Sequence, residues 1–337
     1  MDLLKLLKNK AEYFSASEDD RGISSVVSHI EIAERHYENG KSGDDYLFND
    51  VIYRSNQAFE GALKEAYRVI TGKKPNKITP HQIEKHFEEN DVLKERVLQL
   101  FTNYRTEWRN KSTHDYKLYF SEQEAFLSIV NISAFINILL DQMVEKQAYD
   151  KESEYLKRSP VEKDLISARK ALHDRIVDIL LSFSKEVPDK AVGSVIPRIT
   201  LAALTGSLTA FVNNLAEDIS IYPKFSIMRE KGRRKYIADF FLQKGEDKLI
   251  IEIKNPIHGV SRVLNDGTEQ LLNYLTASGV EHGILYIPPI LQNEEMEVTK
   301  LTKSIGDMSY SLVQIYPKKR LNKSIQQTTN ATADESL

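Results

Sequence analysis

The chain reads as an α + α/β protein, with an all-helical bundle first and a mixed sheet flanked by helices after it. Up to about Lys146, apolar residues recur at helical spacing. From Ile219 onward, short runs rich in β-branched and aromatic residues alternate with turn signals. A helical segment then leads into another apolar strand, and strands joined by a crossover helix indicate a mixed sheet.

In the first half, helices are predicted from about Ile23 to Glu38 and from Tyr46 to Ile70. On the second of these Phe48, Ile52, Phe59, Leu63, Ala66 and Ile70 line one face. Gly72-Lys73-Lys74-Pro75 ends it. Thr79-Pro80-His81-Gln82 is a capping box with proline at the first helical position, so a helix begins there. Another runs roughly from Val92 to Arg109. Ser121-Glu122-Gln123-Glu124 is a second capping box, opening a long apolar helix to about Lys146. The most apolar run, Ala125 to Leu140, is interrupted by Ser128, Asn131, Ser133 and Asn137. It falls short of the ~20 residues of a membrane span and reads as a buried helix, with no membrane partner. Residues 1–148 thus form a helical domain, and the polar stretch 149–160 reads as a linker.

Residues 161–317 form the second domain. Helices are expected at about Val161 to Glu186 and Pro197 to Asp218, then strands at Ile219 to Arg229, Lys235 to Gln243 and Asp247 to Lys254. A helix around Thr268 to Ala277 precedes the strand Gly283 to Ile287, and a last strand is expected at Ser311 to Tyr316. The tail 318–337, rich in Asn, Thr, Gln and Ser, has the composition of a disordered segment.

Composition narrows the function. The formal net charge of −3 advertises no global affinity for nucleic acid, though it leaves room for a local basic patch. The absence of cysteine excludes disulfides and thiolate metal sites and fits a reducing cytoplasm. Met1 to Lys8 interleaves charge with leucine and lacks the apolar core of a signal peptide, so a cytoplasmic location is expected. Gly72-Lys73-Lys74 lacks the upstream glycine and following Ser/Thr of a phosphate loop, and there is no nicotinamide fingerprint.

The chemistry-bearing stretch is a strand pair. Gly245-Glu246 sits where a two-residue hairpin turn belongs, with glycine first as a type II′ turn prefers. Counting outward, Lys244 faces Asp247 and Asp239 falls opposite Glu252. These two form a non-hydrogen-bonded pair with Cβ atoms ~4.5–5.5 Å apart. Period two puts Lys254 on the face of Glu252. Like charges opposed in this way are destabilising. A divalent cation between them reverses the penalty, and a neighbouring lysine moderates it. Hard carboxylate oxygens suit Mg²⁺ or Mn²⁺, and without Cys or His beside them zinc is disfavoured. Lys254 is then suited to orient or deprotonate an attacking water. As a bare motif, Glu-x-Lys is also what a solvated strand face looks like.

Helix, three strands, helix, strand, with Asp239 on the second strand and Glu252-x-Lys254 on the third, resembles the PD-(D/E)xK nuclease superfamily over about Ile199 to Pro317. Ala238 stands where the motif name has proline. The resemblance implies a restriction-endonuclease-like core and Mg²⁺-dependent phosphodiester hydrolysis by Asp239, Glu252 and Lys254. It also implies a role for Gln270 and Tyr274, which match a Gln-x-x-x-Tyr pattern, and for Glu217 as an additional acidic ligand. Glu217 reads equally as a solvated residue near a helix end. Arg229, Lys231, Arg233, Arg234 and Lys235 bracket Gly232 and either track a phosphate backbone or form a solubilising turn.

In the first half, Arg109-Asn110-Lys111-Ser112-Thr113-His114 is similar to the Arg-x4-6-His motif of HEPN-domain ribonucleases, over roughly Ile23 to Lys146. The resemblance implies metal-independent RNA cleavage, His114 taking the proton of a ribose 2′-hydroxyl and Arg109 stabilising phosphate charge, and a homodimer through the helical half. The bland alternative makes His114 a surface loop residue with Arg109 paired to Glu107 or Asp115. The combined expectation is a nuclease acting on DNA or RNA in bacterial anti-phage defence. One rival is a metal-dependent DNA nuclease whose helical half only dimerises or regulates. The other is a non-enzymatic nucleic-acid-binding protein on a decayed nuclease fold.

Overall fold

The computed structural model describes residues 2–14, 21–90, 92–109, 119–158, 170–186, 201–228, 235–254, 260–289 and 294–318. Contacts divide the chain into two compact units, Met1–Gln147 and Ala148–Leu337.

The first unit is helical among the described residues. Helices α1 (Leu3–Ala11), α2 (Arg21–Gly40), α3 (Leu47–Thr71), α4 (Pro80–Glu89) and α5 (Glu95–Tyr104) are followed by a π-helical turn at Arg105–Arg109 and by α6 (Glu122–Arg158). Both capping boxes form. Thr79 accepts from the Gln82 backbone while the Gln82 side chain bonds back, and Ser121 and Glu124 do the same. Gly72 closes α3 in the left-handed region at φ 69°, where a Cβ is disfavoured. The core is aromatic: Phe59 lies 4.9 Å from Tyr104, 5.4 Å from Phe135 and 5.6 Å from Phe101, ring centre to ring centre. By length and composition α6 is apolar enough to cross a membrane, but Ile132, Phe135, Ile136, Leu139 and Val144 are buried in protein.

The linker expected from residue 149 is corrected as far as Arg158, because α6 continues through it. Ala148, Glu152 and Leu156 recur every four residues and are all buried, so one helical face is covered despite the polar composition.

The second unit adds α7 (Leu172–Glu186), α8 (Leu201–Leu215), β1 (Ser220–Met228), β2 (Lys235–Lys244), β3 (Asp247–Ile253), α9 (Val260–Ser278), β4 (His282–Tyr286), β5 (Met296–Ile305) and β6 (Met308–Pro317). The six strands lie in the order β1-β2-β3-β4-β6-β5. β1, β2 and β3 are antiparallel neighbours, β4 runs parallel to β3 and β6, and β5 returns antiparallel on β6. The sheet is therefore mixed, with helices on both faces. Ile179, Leu180 and Phe183 of α7 and Leu208 and Phe211 of α8 pack with Phe240, Leu249, Ile251 and Ile284. On the opposite face, Leu264, Leu271 and Leu275 of α9 pack with Ile250, Leu285 and Leu312. β3 is buried without a break from Leu249 to Ile253, as a central strand covered on both faces should be.

Two details fix the geometry around Asp239 and Lys254. Gly267 lets α9 approach the sheet, since a Cβ there would lie 2.8 Å from Leu285 and 3.3 Å from the Lys254 stem. And β1 and β2 switch faces at matching positions. Ile221 packs on the first core while Phe225 and Ile227 pack on the second. On β2, Phe240 and Leu242 belong to the first core and Ala238 to the second. Strict alternation forbids both patterns. The ladder passes from Pro223–Phe240 to Phe225–Ala238, and between them Lys224 takes φ 53°, unusual for a residue with a side chain. That conformation costs about 1 kcal/mol.

Candidate active site

The β2–β3 hairpin turns at Gly245 with φ 59°, and Glu246 keeps a negative φ, as a type II′ turn requires. Its paired register runs from Lys244–Asp247 to Phe240–Ile251, and just past its end the Ile253 N–H donates to the Asp239 carboxylate, beside Glu252. Ile250 belongs to the α9-side core, so period two puts Glu252 on that face, and the charge of Asp239 acts on both Glu252 and Tyr274 of α9. Both carboxyls are buried, at 7% and 4% exposure.

Each carboxylate has its own lysine. The Lys254 ammonium donates to Glu252 Oε1 at 2.8 Å and also to Gln270 Oε1. The Gln270 amide nitrogen donates to Glu252 Oε1 at 2.9 Å and to the Tyr274 hydroxyl. Its oxygen faces the ammonium and its nitrogen the carboxylate, the orientation that charge demands. α9 supplies this clamp because positions 270 and 274 are one turn apart beside the buried Gly267 and Leu271. Asp239 Oδ2 accepts the Ile253 backbone N–H at 2.8 Å, and Oδ1 accepts from the ammonium of Lys224. Sequence reasoning missed Lys224. It follows Pro223 in an ordinary strand run, and only the three-strand alignment, with Lys224 facing Asp239 and Asp239 beside Glu252, makes it visible.

One atom is left over. Glu252 Oε2 is buried without a hydrogen-bond partner. Burial, then the charge of Asp239, pushes the Glu252 carboxyl up to about 7, with Lys254 opposing them. Burial likewise raises the Tyr274 hydroxyl, keeping it protonated. The donor set is all oxygen, includes two opposed carboxylates and leaves one lone-pair-bearing oxygen buried and unused. Those features fit a hard divalent cation such as Mg²⁺ or Mn²⁺.

The structure thus brings together Asp239, Glu252, Lys254, Gln270 and Tyr274. It does not bring Glu217 to them. Glu217 is an exposed turn residue after α8, near Ser220, which pairs with Gln243. Asp239 lies four positions further along β2 (243 to 239), roughly 13 Å away at ~3.3 Å per residue. Among the described residues no third His, Asp or Glu joins the carboxylate pair. Neighbouring Asp218 instead bonds Arg175 at 2.6 Å and Lys244 at 3.0 Å. Of the basic cluster, Arg229, Lys231, Arg233 and Arg234 lie outside the described residues, and Lys235 opens β2 opposite Met228.

In the first unit, Arg109 ends the π-helical turn, with its guanidinium 4.0 Å from Glu60. Such turns are frequent at functional sites. His114, Asn110 and Asp115 lie outside the described residues.

No protein-family model matches the chain, and no curated protein matches it.

Proposed function

We propose that the second unit is a divalent-metal-dependent phosphodiesterase acting on nucleic acid, in the manner of the PD-(D/E)xK nucleases it resembles. The observation that carries this reading is the buried, unpartnered Glu252 Oε2 near the charge of Asp239, beside a Lys254 ammonium clamped by Gln270. Asp239 and Glu252 would hold the cation. When bound, it supplies charge neutralisation at the phosphate and acidifies water for attack. Lys254, held as an ammonium by Glu252 and Gln270, would orient that water through its remaining N–H. Gln270 fixes the ammonium relative to Glu252, and Tyr274 fixes Gln270. Arg109 and His114 extend the proposal to a HEPN-type ribonuclease site in the first unit.

The test is cleavage of labelled DNA and RNA by the full chain with Mg²⁺, with Mn²⁺ and with EDTA. Activity that needs the metal and vanishes in Asp239→Ala supports the reading. Cleavage by Asp239→Ala at the wild-type rate refutes it.

A second reading draws on Lys224 and Lys254, which already neutralise both carboxylates. A nucleic-acid-binding protein without turnover would have salt-sensitive affinity and no heat of metal binding.

A further inference from the structure

Both acidic groups are neutralised by an ammonium, but the two lysines are held differently. Lys254 sits on Glu252 Oε1, is tied a second time by Gln270, and leaves Oε2 unused. Lys224 reaches Asp239 Oδ1 from the edge strand β1, with a side chain 32% exposed, and Asp239 is its partner among the described residues. Its stem departs from strand alternation because the backbone at residue 224 is left-handed, and β2 switches faces directly opposite. A strained backbone that delivers a cation to a buried carboxylate is the kind of outlier that persists where it serves a site.

We propose that Lys224 is the counter-cation this site carries for itself: its ammonium holds Asp239 in the metal-free protein and leaves when a divalent cation is bound. Metal loading and Lys224 release are then one exchange. The inference rests on the metal-site reading. A dication held by Asp239 and Glu252 would share Asp239 with the ammonium, and two positive groups on one carboxylate repel at short range. Lys254 is spared, because it engages Oε1 of Glu252 and leaves Oε2 unused. Lys224 therefore sets the metal affinity from below. It keeps the empty site electrically balanced and competes with the ion that fills it.

The experiment is calorimetric titration of the full chain with Mn²⁺, for wild type, Lys224→Met, Lys224→Gly and Asp239→Asn. Amine-reactive labelling of wild-type Lys224, quantified by mass spectrometry with and without Mn²⁺, accompanies it. Glycine suits the left-handed backbone, so at least one Lys224 variant folds without added strain. Both variants are expected to bind Mn²⁺ about tenfold tighter than wild type, the scale of a partly buried ion pair removed as competitor. Labelling of Lys224 should rise severalfold when Mn²⁺ is added. If the variants bind no tighter while Asp239→Asn loses the metal, the exchange is refuted and the metal site stands. Unchanged labelling of a metal-loaded wild type refutes the exchange in the same way. If neither wild type nor the Lys224 variants bind Mn²⁺, the exchange and the metal-site reading both fall.

Discussion

Replacing Glu252 with glutamine isolates the electrostatic cost built into the site. In the folded protein this carboxyl is raised from 4.5 to about 7, first by burial and then by the Asp239 charge. A carboxyl whose folded value exceeds its unfolded one contributes stability that is complete below the unfolded value and is lost as pH rises through the folded one. The window is therefore about pH 4.5 to 7. At ~1.4 kcal/mol per pH unit the loss is about 3 kcal/mol. Glu252→Gln cannot ionise. In EDTA, the stability of the variant relative to wild type should climb by about 3 kcal/mol across that window. Urea unfolding followed by far-UV circular dichroism at a series of pH values reads this difference directly. Near neutral pH, Mg²⁺ should restore stability to wild type by binding the ionised form, and leave Glu252→Gln unaffected. Parallel stability curves for the two proteins from about pH 4 to 8 would refute the argument.

Lys254→Met should lower metal-dependent cleavage by about 10²-fold or more while Mn²⁺ binding by calorimetry persists, because the ammonium is assigned to water and not to the metal. Gln270→Ala removes the amide that orients both Lys254 and Glu252, and turnover or metal affinity should fall about tenfold in steady-state and binding assays. Gly245→Ala forces a Cβ onto a φ of 59° and should cost about 1 kcal/mol by calorimetric unfolding, far from the chemistry. Arg109→Ala should abolish any RNA cleavage that survives EDTA, measured on a labelled single strand.

The hairpin is legible in the sequence because a two-residue turn leaves no freedom of register: once Gly245-Glu246 is the turn, the ladder from Lys244–Asp247 to Phe240–Ile251 follows and leads up to Asp239 and Glu252. The crossover helix is legible in type but not in extent. It starts at Val260, eight residues before the expected Thr268, and residues 255–259 before it lie outside the described residues. β5 escapes the strand pattern because it is an edge strand whose second half is largely exposed, with Lys300 and Lys303 on opposite faces. The signal is present in Gly306-Asp307, a two-residue turn with glycine at φ 59° like that of the first hairpin. The full length of α6 is masked by the polarity of its last turns, although Ala148, Glu152 and Leu156 keep helical spacing. Lys224 cannot be found by pattern. Its importance comes from a backbone departure that no neighbouring residue type demands.

Gly267 carries a last consequence. Glu252 and Lys254 ride on the sheet, whereas Gln270 and Tyr274 ride on the helix above it, and the spacing of those two layers is set where Gly267 meets Leu285. The alignment of these four side chains is thus a thickness: it depends on how deep one rod sinks into one plane. Side chains that pad or hollow that seam would shift the candidate site without touching its charged groups.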